Sequence, residues 1–260
     1  MSEHLDTVGG TVAAQLRRAG IALVRTWCRQ SVTVDAALPD EPCLIVGNHG
    51  FGGIVDLNVF ALAAAMQTIS PERDYISLTH QMAWTLGIGP ALEHVGARPA
   101  GHQVAHDAFE DGLHVSVFPG GDLDAAKSFR DRNTVSFHGS TGFAALAIKA
   151  DVPIVPVVTA GAGESLFVLT DGQSLAQRLH LKRLLRYRAL PISVSIPWGI
   201  SIGAVGLLPY APLPTKLDTA VLPALRPQPG DTPAVLAARV QATMQSRLTA
   251  LTAQRIPVLG

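Results

Sequence analysis

The sequence predicts an α/β fold, a single domain in which helices flank a largely parallel central sheet. Short runs of aliphatic and β-branched residues alternate with longer segments of helical periodicity, which is the pattern of strand–helix–strand units. Two glycine-rich segments, 47–53 and 119–121, directly follow predicted strands. Folds of this class bind ligands at the loops beyond the carboxyl ends of their strands. Hydrophobic residues make up 48% of the 260 residues, which is enough for a substantial core.

The chain begins with a predicted amphipathic helix over residues 11–30. Apolar residues form one stripe of this helix, and arginines lie largely elsewhere. The stripe consists of Val12, Leu16, Gly20, Leu23 and Trp27, and the arginines are Arg17, Arg18, Arg25 and Arg29. Such a helix either packs on the domain or lies in a membrane interface with its arginines against anionic headgroups. We therefore treat residues 1–35 as an N-terminal amphipathic helical segment and residues 36–260 as the main domain.

Strands and helices alternate in the first half of the main domain. Strands are predicted over residues 42–47, 74–78, 115–118 and 152–159, and helices over residues 54–66, 103–110 and 141–149. The later segment 190–214 is apolar and rich in Pro and Gly, so it is expected to be irregular or short-stranded. A closing amphipathic helix is predicted over residues 233–254.

Residues 177–188 form another predicted amphipathic helix, which is strongly basic. Its cationic residues are Arg178, Lys182, Arg183, Arg186 and Arg188. A basic amphipathic helix is typical of membrane-surface proteins, although a solvated helix with an ordinary apolar face has the same pattern. The formal net charge of the whole chain is zero, so broad electrostatic binding to nucleic acid is not expected.

Cysteine content and hydropathy restrict the class of protein further. Cys28 and Cys43 are too few for a disulfide framework or a metal cluster, and both are expected to be buried free thiols. The N-terminus lacks the basic start and apolar run of a signal peptide. No uncharged apolar stretch reaches the ~18 residues that a spanning helix requires. If the protein meets a membrane, we expect it to lie on the surface.

The segment 48–56, with the sequence NHGFGGIVD, follows a predicted strand and carries the residues of a general base. The imidazole of His49 titrates near neutral pH, and a carboxylate on its other nitrogen, supplied by Asp56, fixes the tautomer. Such a pair activates an alcohol for attack on a thioester without a metal or a covalent intermediate. Taken alone, the pair is weak evidence for catalysis, because a single histidine in a loop is more often structural.

Three further segments contain candidate binding residues. The turn Pro119–Gly120–Gly121 offers backbone amides to an anion or an oxyanion, although a tight turn needs glycine for its backbone angles alone. Arg98 is placed to hold a phosphate. The segment 152–158, VPIVPVV, is a strand shaped by two prolines. Glu164 is either a substrate contact or a carboxylate that caps a helix.

In this order and spacing the four segments resemble the glycerolipid acyltransferase superfamily, over about residues 40–225. The family pattern consists of an NH-x4-D block, a glycine-to-arginine block, an FPEG-type block and a V-P-type strand. The matching residues are Asn48, His49 and Asp56; Gly96 and Arg98; Phe118, Pro119, Gly120 and Gly121; and Pro153 and Pro156. The sequence FPGG in place of FPEG, and the run 142–167, are most similar to the monoacylglycerol and diacylglycerol acyltransferase-like branch.

The resemblance implies an acyl-CoA-dependent O-acyltransferase that needs no cofactor, with acyl-CoA or acyl carrier protein as the acyl donor and a glycerolipid or other lipid hydroxyl as the acceptor. His49 is then the catalytic base and Asp56 orients it. The implied substrate-binding residues are Asn48, Arg98, Phe118, Pro119, Gly120, Gly121, Lys127 and Arg130. No metal site is implied.

The spacing of the first block differs from the family pattern. Six residues separate His49 from Asp56, and Ile54 stands at the usual aspartate position. Glycines 50, 52 and 53 either loop out the extra residues, or His49 lacks its partner. The second outcome corresponds to the alternative function, a catalytically inactive, membrane-associated lipid-binding protein on the same fold.

The segment after Pro119 lacks the acidic and arginine residues of the family's phosphate-binding block. A neutral acceptor is therefore expected, or a phosphate held instead by Arg98, Lys127 or Arg130. The expected partners are an acyl thioester, a lipid acceptor and a membrane surface, with no nucleic acid. The expected location is peripheral, on the cytoplasmic face of a membrane, and the oligomeric state stays open.

Overall fold

The computed structural model describes residues 2–50, 56–85, 87, 89–172, 191–203 and 210–260. The helices are α1 (Ser2–Ala22), α2 (Leu57–Ile69), α3 (Met82–Thr85), α4 (Gly89–Glu93), α5 (His102–Glu110), α6 (Gly121–Ala125), α7 (Gly142–Ala150) and α8 (Pro233–Thr252). The strands are β1 (Ser31–Val34), β2 (Leu44–Gly47), β3 (Tyr75–Thr79), β4 (Ala97–Pro99), β5 (His114–Val117), β6 (Ile154–Ala160), β7 (Phe167–Thr170), β8 (Ile192–Ser195), β9 (Gly199–Ile202) and β10 (Asp218–Val221).

Seven strands form a central sheet in the order β1-β10-β6-β2-β5-β3-β4. The strands β6, β2, β5, β3 and β4 run parallel to one another. β10 pairs antiparallel with β6, and β1 pairs parallel with β10. The predicted α/β class with a largely parallel sheet is therefore confirmed, with two reversed strands at one edge.

The core lies on both faces of this sheet, because successive side chains of a strand point to opposite faces. Leu44 and Val46 of β2 pack with residues of α5, α7 and α8. Ile45, between them, packs with Leu62 and Met66 of α2 on the other face. Both faces of β2 and β6 are buried, which explains why these strands read as continuous apolar runs in the sequence.

The N-terminal helix differs in extent from its prediction over residues 11–30. α1 ends at Ala22 and continues as one π-helical turn, Leu23–Trp27. Its last residues dock on α2, where Gly20 faces Phe60 so closely that a Cβ would lie 2.2 Å from the ring. Val12 and Leu16 are exposed. The predicted stripe is thus divided between a docked end and an exposed end.

The other predicted elements agree with the structure to within a few residues. The elements that were not predicted are only three to five residues long; they are strands β1, β4, β7 and β10 and helices α3, α4 and α6. The basic helix predicted over residues 177–188 lies outside the described residues. Within the described chain, none of the helices combines the length and the hydropathy needed to span a membrane.

A separate three-stranded sheet, β7-β8-β9, follows the central sheet at the end of β6. Its strands are antiparallel. The segment predicted as irregular or short-stranded supplies β8 and β9. This sheet is reached through the 3-10 turn Ala162–Glu164, directly beyond the carboxyl end of β6.

Candidate active site

His49 lies two residues beyond β2, at the carboxyl edge of the parallel strands. The preceding residue, Asn48, is buried and extends the pairing of β2 with β6 through its side chain. Its Oδ1 accepts the N–H of Thr159 at 2.9 Å, and its Nδ2 donates to the carbonyl of the same residue at 3.1 Å. A side-chain amide that satisfies both groups of a neighbouring strand fixes the backbone from which His49 projects.

Asp56 begins helix α2 and contacts His49 at the same time. Its Oδ1 accepts the N–H of Asn58 at 2.9 Å, which is a standard N-cap bond. Its Oδ2 lies 2.7 Å from Nδ1 of His49. The expected contact therefore forms despite the longer spacing. The path of residues 51–55, including Gly52 and Gly53, lies outside the described residues.

The carboxylate of Asp56 determines which nitrogen of His49 can act as a base. A carboxylate only accepts hydrogen bonds, so the proton of the neutral imidazole resides on Nδ1 and the lone pair on Nε2. Nε2 makes no hydrogen bond to any described residue, and the His49 side chain is 16% exposed. The arrangement can accept a proton from a bound hydroxyl group.

A second carboxylate, that of Asp124, holds the main chain of His49. Its Oδ2 accepts the backbone N–H of His49 at 3.0 Å, and its Oδ1 accepts from Nζ of Lys127 at 2.8 Å. Both side chains of this ion pair are buried. Asp124 belongs to α6, which starts in the Pro-Gly-Gly turn, so it ties that turn to the loop after β2.

The turn after β5 lies beside the histidine. The ring centroid of Phe118 is 5.0 Å from that of His49. A Cβ on Gly47 would lie 2.5 Å from the Phe118 ring. A Cβ on Gly120 would lie 2.2 Å from Cβ of Asp124, so only glycine fits there. Pro119 and Gly121 complete the turn, and Gly121 has a positive φ of 58°.

Of the three cationic candidates, the structure connects Lys127 to His49 indirectly, through the carboxylate of Asp124. Arg98 lies on β4, two strands from β5, and its guanidinium donates to the carbonyls of Glu93 and Ala97. Lys127 is engaged by Asp124. Arg130 is exposed and forms no hydrogen bond or ion pair within the described part of the chain.

Comparison with known proteins identifies the family. The model of the Acyltransferase family matches residues 29–160. This chain belongs to the acyltransferase family. The matched range contains the His49–Asp56 pair, Arg98 and the turn from Phe118 to Gly121, so the resemblance predicted from the four motifs is confirmed.

Relatives of this acyltransferase-family chain occur in bacteria and animals. An uncharacterised protein of Mycobacterium tuberculosis is 32% identical over 200 residues, which cover 74% of this chain and 51% of that protein. A protein of Gallus gallus named "DGAT1/2-independent enzyme synthesizing storage lipids" is 26% identical over 226 residues, which cover 86% of this chain and 60% of that protein. The chain thus spans about half the length of the mycobacterial relatives it matches.

A solved structure has the same fold as this acyltransferase-family chain. It is the 1-acyl-sn-glycerophosphate acyltransferase PlsC of Thermotoga maritima, with a TM-score of 0.54 and 16% sequence identity. The match covers 94% of this chain and 81% of PlsC. It supports the predicted arrangement of a mostly parallel sheet flanked by helices.

Three residues that position the site were not predicted from the sequence of this acyltransferase-family chain. They are Asn58, whose side chain donates to the carbonyl of Asn48, and the Asp124 and Thr159 contacts described above. Asp124 stands in the quoted turn segment, so its position was available in the sequence. Its partner, the backbone N–H of His49 in the loop after β2, is distant in the sequence and leaves no trace in a residue pattern.

Glu164 does not cap a helix; its carboxylate belongs to a buried network of hydrogen bonds. Its buried carboxylate accepts from Nε and Nη2 of Arg255 at 2.9 and 3.0 Å, and from the hydroxyl of Thr215 at 3.1 Å. The backbone N–H of Val258 donates to it at 2.7 Å. Glu164 therefore anchors residues near the end of the chain to the turn after β6.

His114, a deeply buried histidine of β5, is a structural residue. Its Nδ1 accepts the N–H of Cys43 at 3.0 Å, and its Nε2 lies 3.2 Å from the hydroxyl of Ser70. Burial, assisted by the nearby charge of Arg73, lowers the pKa of His114 to about 4. Both ring nitrogens are occupied, so His114 does not compete with His49 as a base.

Proposed function

We propose that this protein is an O-acyltransferase that moves a fatty acyl chain from a thioester to a hydroxyl group of a lipid acceptor, with His49 as the general base. The observation that carries the proposal is the 2.7 Å contact between Nδ1 of His49 and Asp56, which leaves Nε2 available at the carboxyl edge of the sheet. The family membership supports the same reaction class.

In the proposed reaction, Nε2 of His49 removes the proton of the acceptor hydroxyl as the oxygen attacks the thioester carbonyl. The resulting imidazolium is stabilised by Asp56. Collapse of the tetrahedral intermediate forms the ester and breaks the carbon–sulfur bond, and the imidazolium returns its proton to the departing thiolate. A positioned base of this kind contributes typically about 10²–10⁴ in rate.

The turn after β5 is proposed to bind the reacting thioester. Phe118 packs beside His49 and forms an apolar wall. The N–H of Gly121 donates to the carbonyl of Phe118 at 3.3 Å, so the amide proposed to face the thioester is that of Gly120. Backbone N–H groups aimed at a developing oxyanion stabilise it strongly in a site that excludes water. Asn48 and Pro119 hold the loops on either side.

A neutral acceptor is favoured over a phosphorylated one. Two of the three cationic candidates are already engaged, Lys127 by a buried carboxylate and Arg98 by two backbone carbonyls. Of these three candidates, only Arg130 makes no hydrogen bond or ion pair within the described residues. The storage-lipid activity in the name of the Gallus gallus relative points in the same direction.

The proposal is tested by thiol release from a long-chain acyl-CoA, and in parallel from acyl carrier protein, with monoacylglycerol, diacylglycerol, a long-chain alcohol and lysophosphatidate as acceptors. We expect acyl-CoA to serve as the donor and an unphosphorylated lipid alcohol to be preferred. A strong preference for lysophosphatidate overturns the neutral-acceptor proposal. If no acceptor supports release although the protein still binds lipid, the inactive lipid-binding alternative is correct.

The protein is also proposed to work at the cytoplasmic face of a membrane as a peripheral protein, with the N-terminal segment contributing to the contact. Val12 and Leu16 of α1 are exposed, and arginines occur on the same helix. We expect the purified protein to float with anionic vesicles and to bind them less at high salt, because salt screens the attraction to headgroups. Absence of binding at low salt contradicts this proposal.

A further inference from the structure

The three-stranded sheet β7-β8-β9 exposes an apolar face. Val194 lies opposite Phe167 on one side and Ile200 on the other, so these three residues form a row across the sheet. Ile202 extends the face along β9, and the connection between β8 and β9 adds two more exposed residues. The outer face consists of Phe167, Val194, Ile196, Trp198, Ile200 and Ile202, all of which are exposed.

The opposite side of the same sheet is buried; Val168 of β7 lies there in an apolar cluster with Leu166 and Tyr210, whereas β8 and β9 contribute serines. Ser193 and Ser201 are paired across β8 and β9 and point inward. Neither hydroxyl has a hydrogen-bond partner among the described residues. A buried hydroxyl without a partner costs about 1–3 kcal/mol, whereas the alternating pattern of these strands would allow the isoleucines to face inward. In β8 and β9 the apolar side chains therefore face solvent while the serines are buried, against the usual preference.

The outer face lies at the edge of the central sheet that carries His49. β7 follows the turn Ala162–Glu164, which starts beyond the carboxyl end of β6. Phe167 stacks on Phe129 at a centroid distance of 4.5 Å, and Phe129 belongs to the loop that continues from the Pro-Gly-Gly turn. A partner that covers the outer face is thus adjacent to the candidate active site.

Charge distinguishes between two possible partners of the outer face, a lipid bilayer and a second copy of the chain. The strands β7, β8 and β9 contain no charged residue. The connection between β7 and β8, residues 171–191, contains five basic residues and one acidic residue, Asp171, in its sequence. Positions 173–190 of this connection lie outside the described residues, but its two ends are fixed at this sheet. An apolar face joined to a cationic segment complements an anionic lipid surface.

A second copy of the chain fits this face less well. In a symmetric dimer the same surface of both copies meets itself, so the two cationic segments would be brought together. Juxtaposed like charges oppose association. Tryptophan near the rim of an apolar face is, in contrast, typical of proteins at a membrane–water interface.

We propose that the outer face is the surface by which this protein docks on an anionic lipid bilayer, which places the His49 edge against the lipid. This inference rests on the proposed function, because a lipid acceptor and a long acyl chain have to enter the site from a bilayer. The outer-face side chains enter the interfacial region, and the positive charge in the sequence between β7 and β8 favours anionic headgroups.

A labelling experiment measures insertion directly. Cys28 and Cys43 are fully buried, and burial raises the pKa of these thiols to about 11 and about 12, so a new surface cysteine can be labelled selectively. Ile200→Cys, at a position 73% exposed, is compared with Val235→Cys, at a position 54% exposed. Val235 lies at the start of α8. Leu225, in the segment before this helix, pairs with Ile154, the first residue of β6, so this segment lies at the amino ends of the parallel strands, opposite the edge that carries His49.

Each variant carries an environment-sensitive fluorophore and is mixed with vesicles of phosphatidylcholine and phosphatidylglycerol. We expect a blue shift of the emission for the label at position 200 and none for the label at position 235. No shift at position 200, or equal shifts at both positions, overturns the proposal.

A binding experiment provides an independent measurement. The double variant Ile196→Ser/Ile200→Ser should partition onto the same vesicles at least tenfold more weakly than the wild type, and Val235→Ser should partition like the wild type. Circular dichroism and thermal unfolding verify that the variants are folded. Undiminished partition of a folded double variant contradicts the proposal.

Two further measurements separate this inference from the proposed function and from a dimer. His49→Ala is expected to bind vesicles normally. If the wild type binds vesicles but transfers no acyl chain, the proposed function is contradicted and the docking surface is not. If the wild type transfers acyl chains but the label at position 200 does not insert, only the proposed docking surface is contradicted. Conversion of a dimer to a monomer by the double variant in sedimentation, without vesicle binding by the wild type, would assign the face to a second copy.

Discussion

At the scale of single residues, Asp56 links the fold to the chemistry. One carboxylate oxygen caps α2 through the N–H of Asn58, and the other contacts Nδ1 of His49. The first bond fixes the position of the carboxylate, so the second is made without ordering a flexible side chain. The tautomer of His49 therefore depends on a residue that the helix holds in place.

The substitution Asp56→Asn separates these two roles. Asn caps helices about as well as Asp, so the free energy of unfolding should change by less than about 1 kcal/mol. If the amide oxygen keeps the cap, the amide NH₂ faces Nδ1 of His49 and moves the ring proton to Nε2. We expect kcat to fall by about 10²–10⁴. The measurement is steady-state thiol release together with chemical denaturation, and an unchanged kcat in a folded variant would show that Asp56 only caps α2.

At the scale of elements, the turn between β5 and α6 connects the two halves of the site. Asp124, from the first turn of α6, binds the N–H of His49 and the ammonium of Lys127. Gly120 lies against Asp124 and the carbonyl of Ser136, at distances that leave no room for a Cβ. The turn therefore sets the position of His49 through Asp124, in addition to any contact it makes with substrate.

Substitution of the two glycines tests the geometry of this turn. Gly120→Ala places a Cβ 2.2 Å from Cβ of Asp124, and such overpacking should lower the free energy of unfolding by about 3 kcal/mol or more. Gly121→Ala is the matched control, since its Cβ meets open space and only the positive φ of 58° is unfavourable, at about 1–2 kcal/mol. Urea denaturation measures both. Equal losses in the free energy of unfolding for the two variants would contradict the close approach of Gly120 to Asp124.

At the scale of the whole molecule, a buried ion pair joins two segments that are distant in the sequence. Arg255, beyond α8, binds Glu164 in the turn after β6, and its Nη1 also binds Asp218 of β10 at 2.7 Å. The side chains of Arg255 and Glu164 are almost fully buried. This contact joins the end of the chain to the loop on which the second sheet begins, near the edge that carries His49.

Removal of the Arg255 charge should be strongly destabilising, because it leaves the buried Glu164 carboxylate with only the more distant cation of Arg132, whose Nε lies 3.9 Å away. We expect Arg255→Gln to lower the free energy of unfolding by about 3–5 kcal/mol. Arg226→Gln is the control: Arg226 pairs with Glu41 in an exposed position, and its loss should cost about 1 kcal/mol or less. Thermal and chemical denaturation measure the free energy of unfolding of both variants. Similar losses for the two would show that burial does not make the Arg255–Glu164 pair more stabilising than an exposed pair.

Across the molecule, local patterns predicted more of the fold than of the site. β2, β5, β6, α5, α7 and α8 follow from apolar periodicity, which is encoded within a few residues. The pairing of β1 with β10 joins positions near 31 and 218, and the contact of Asp124 with His49 joins different loops. Such contacts depend on three-dimensional placement. The outer face was also not predicted, because an alternating Ile and Ser pattern does not state which side is buried.

The central claim is that Nε2 of His49 is the base that activates the acceptor hydroxyl. The most direct measurement is acceptor-dependent thiol release from a long-chain acyl-CoA by the wild type, His49→Ala and His49→Gln, with folding and vesicle binding verified for each protein. We predict that both variants bind vesicles and lose acceptor-dependent release by at least about 10²-fold. Release at the wild-type rate by either folded variant would contradict the assignment of His49 as the base.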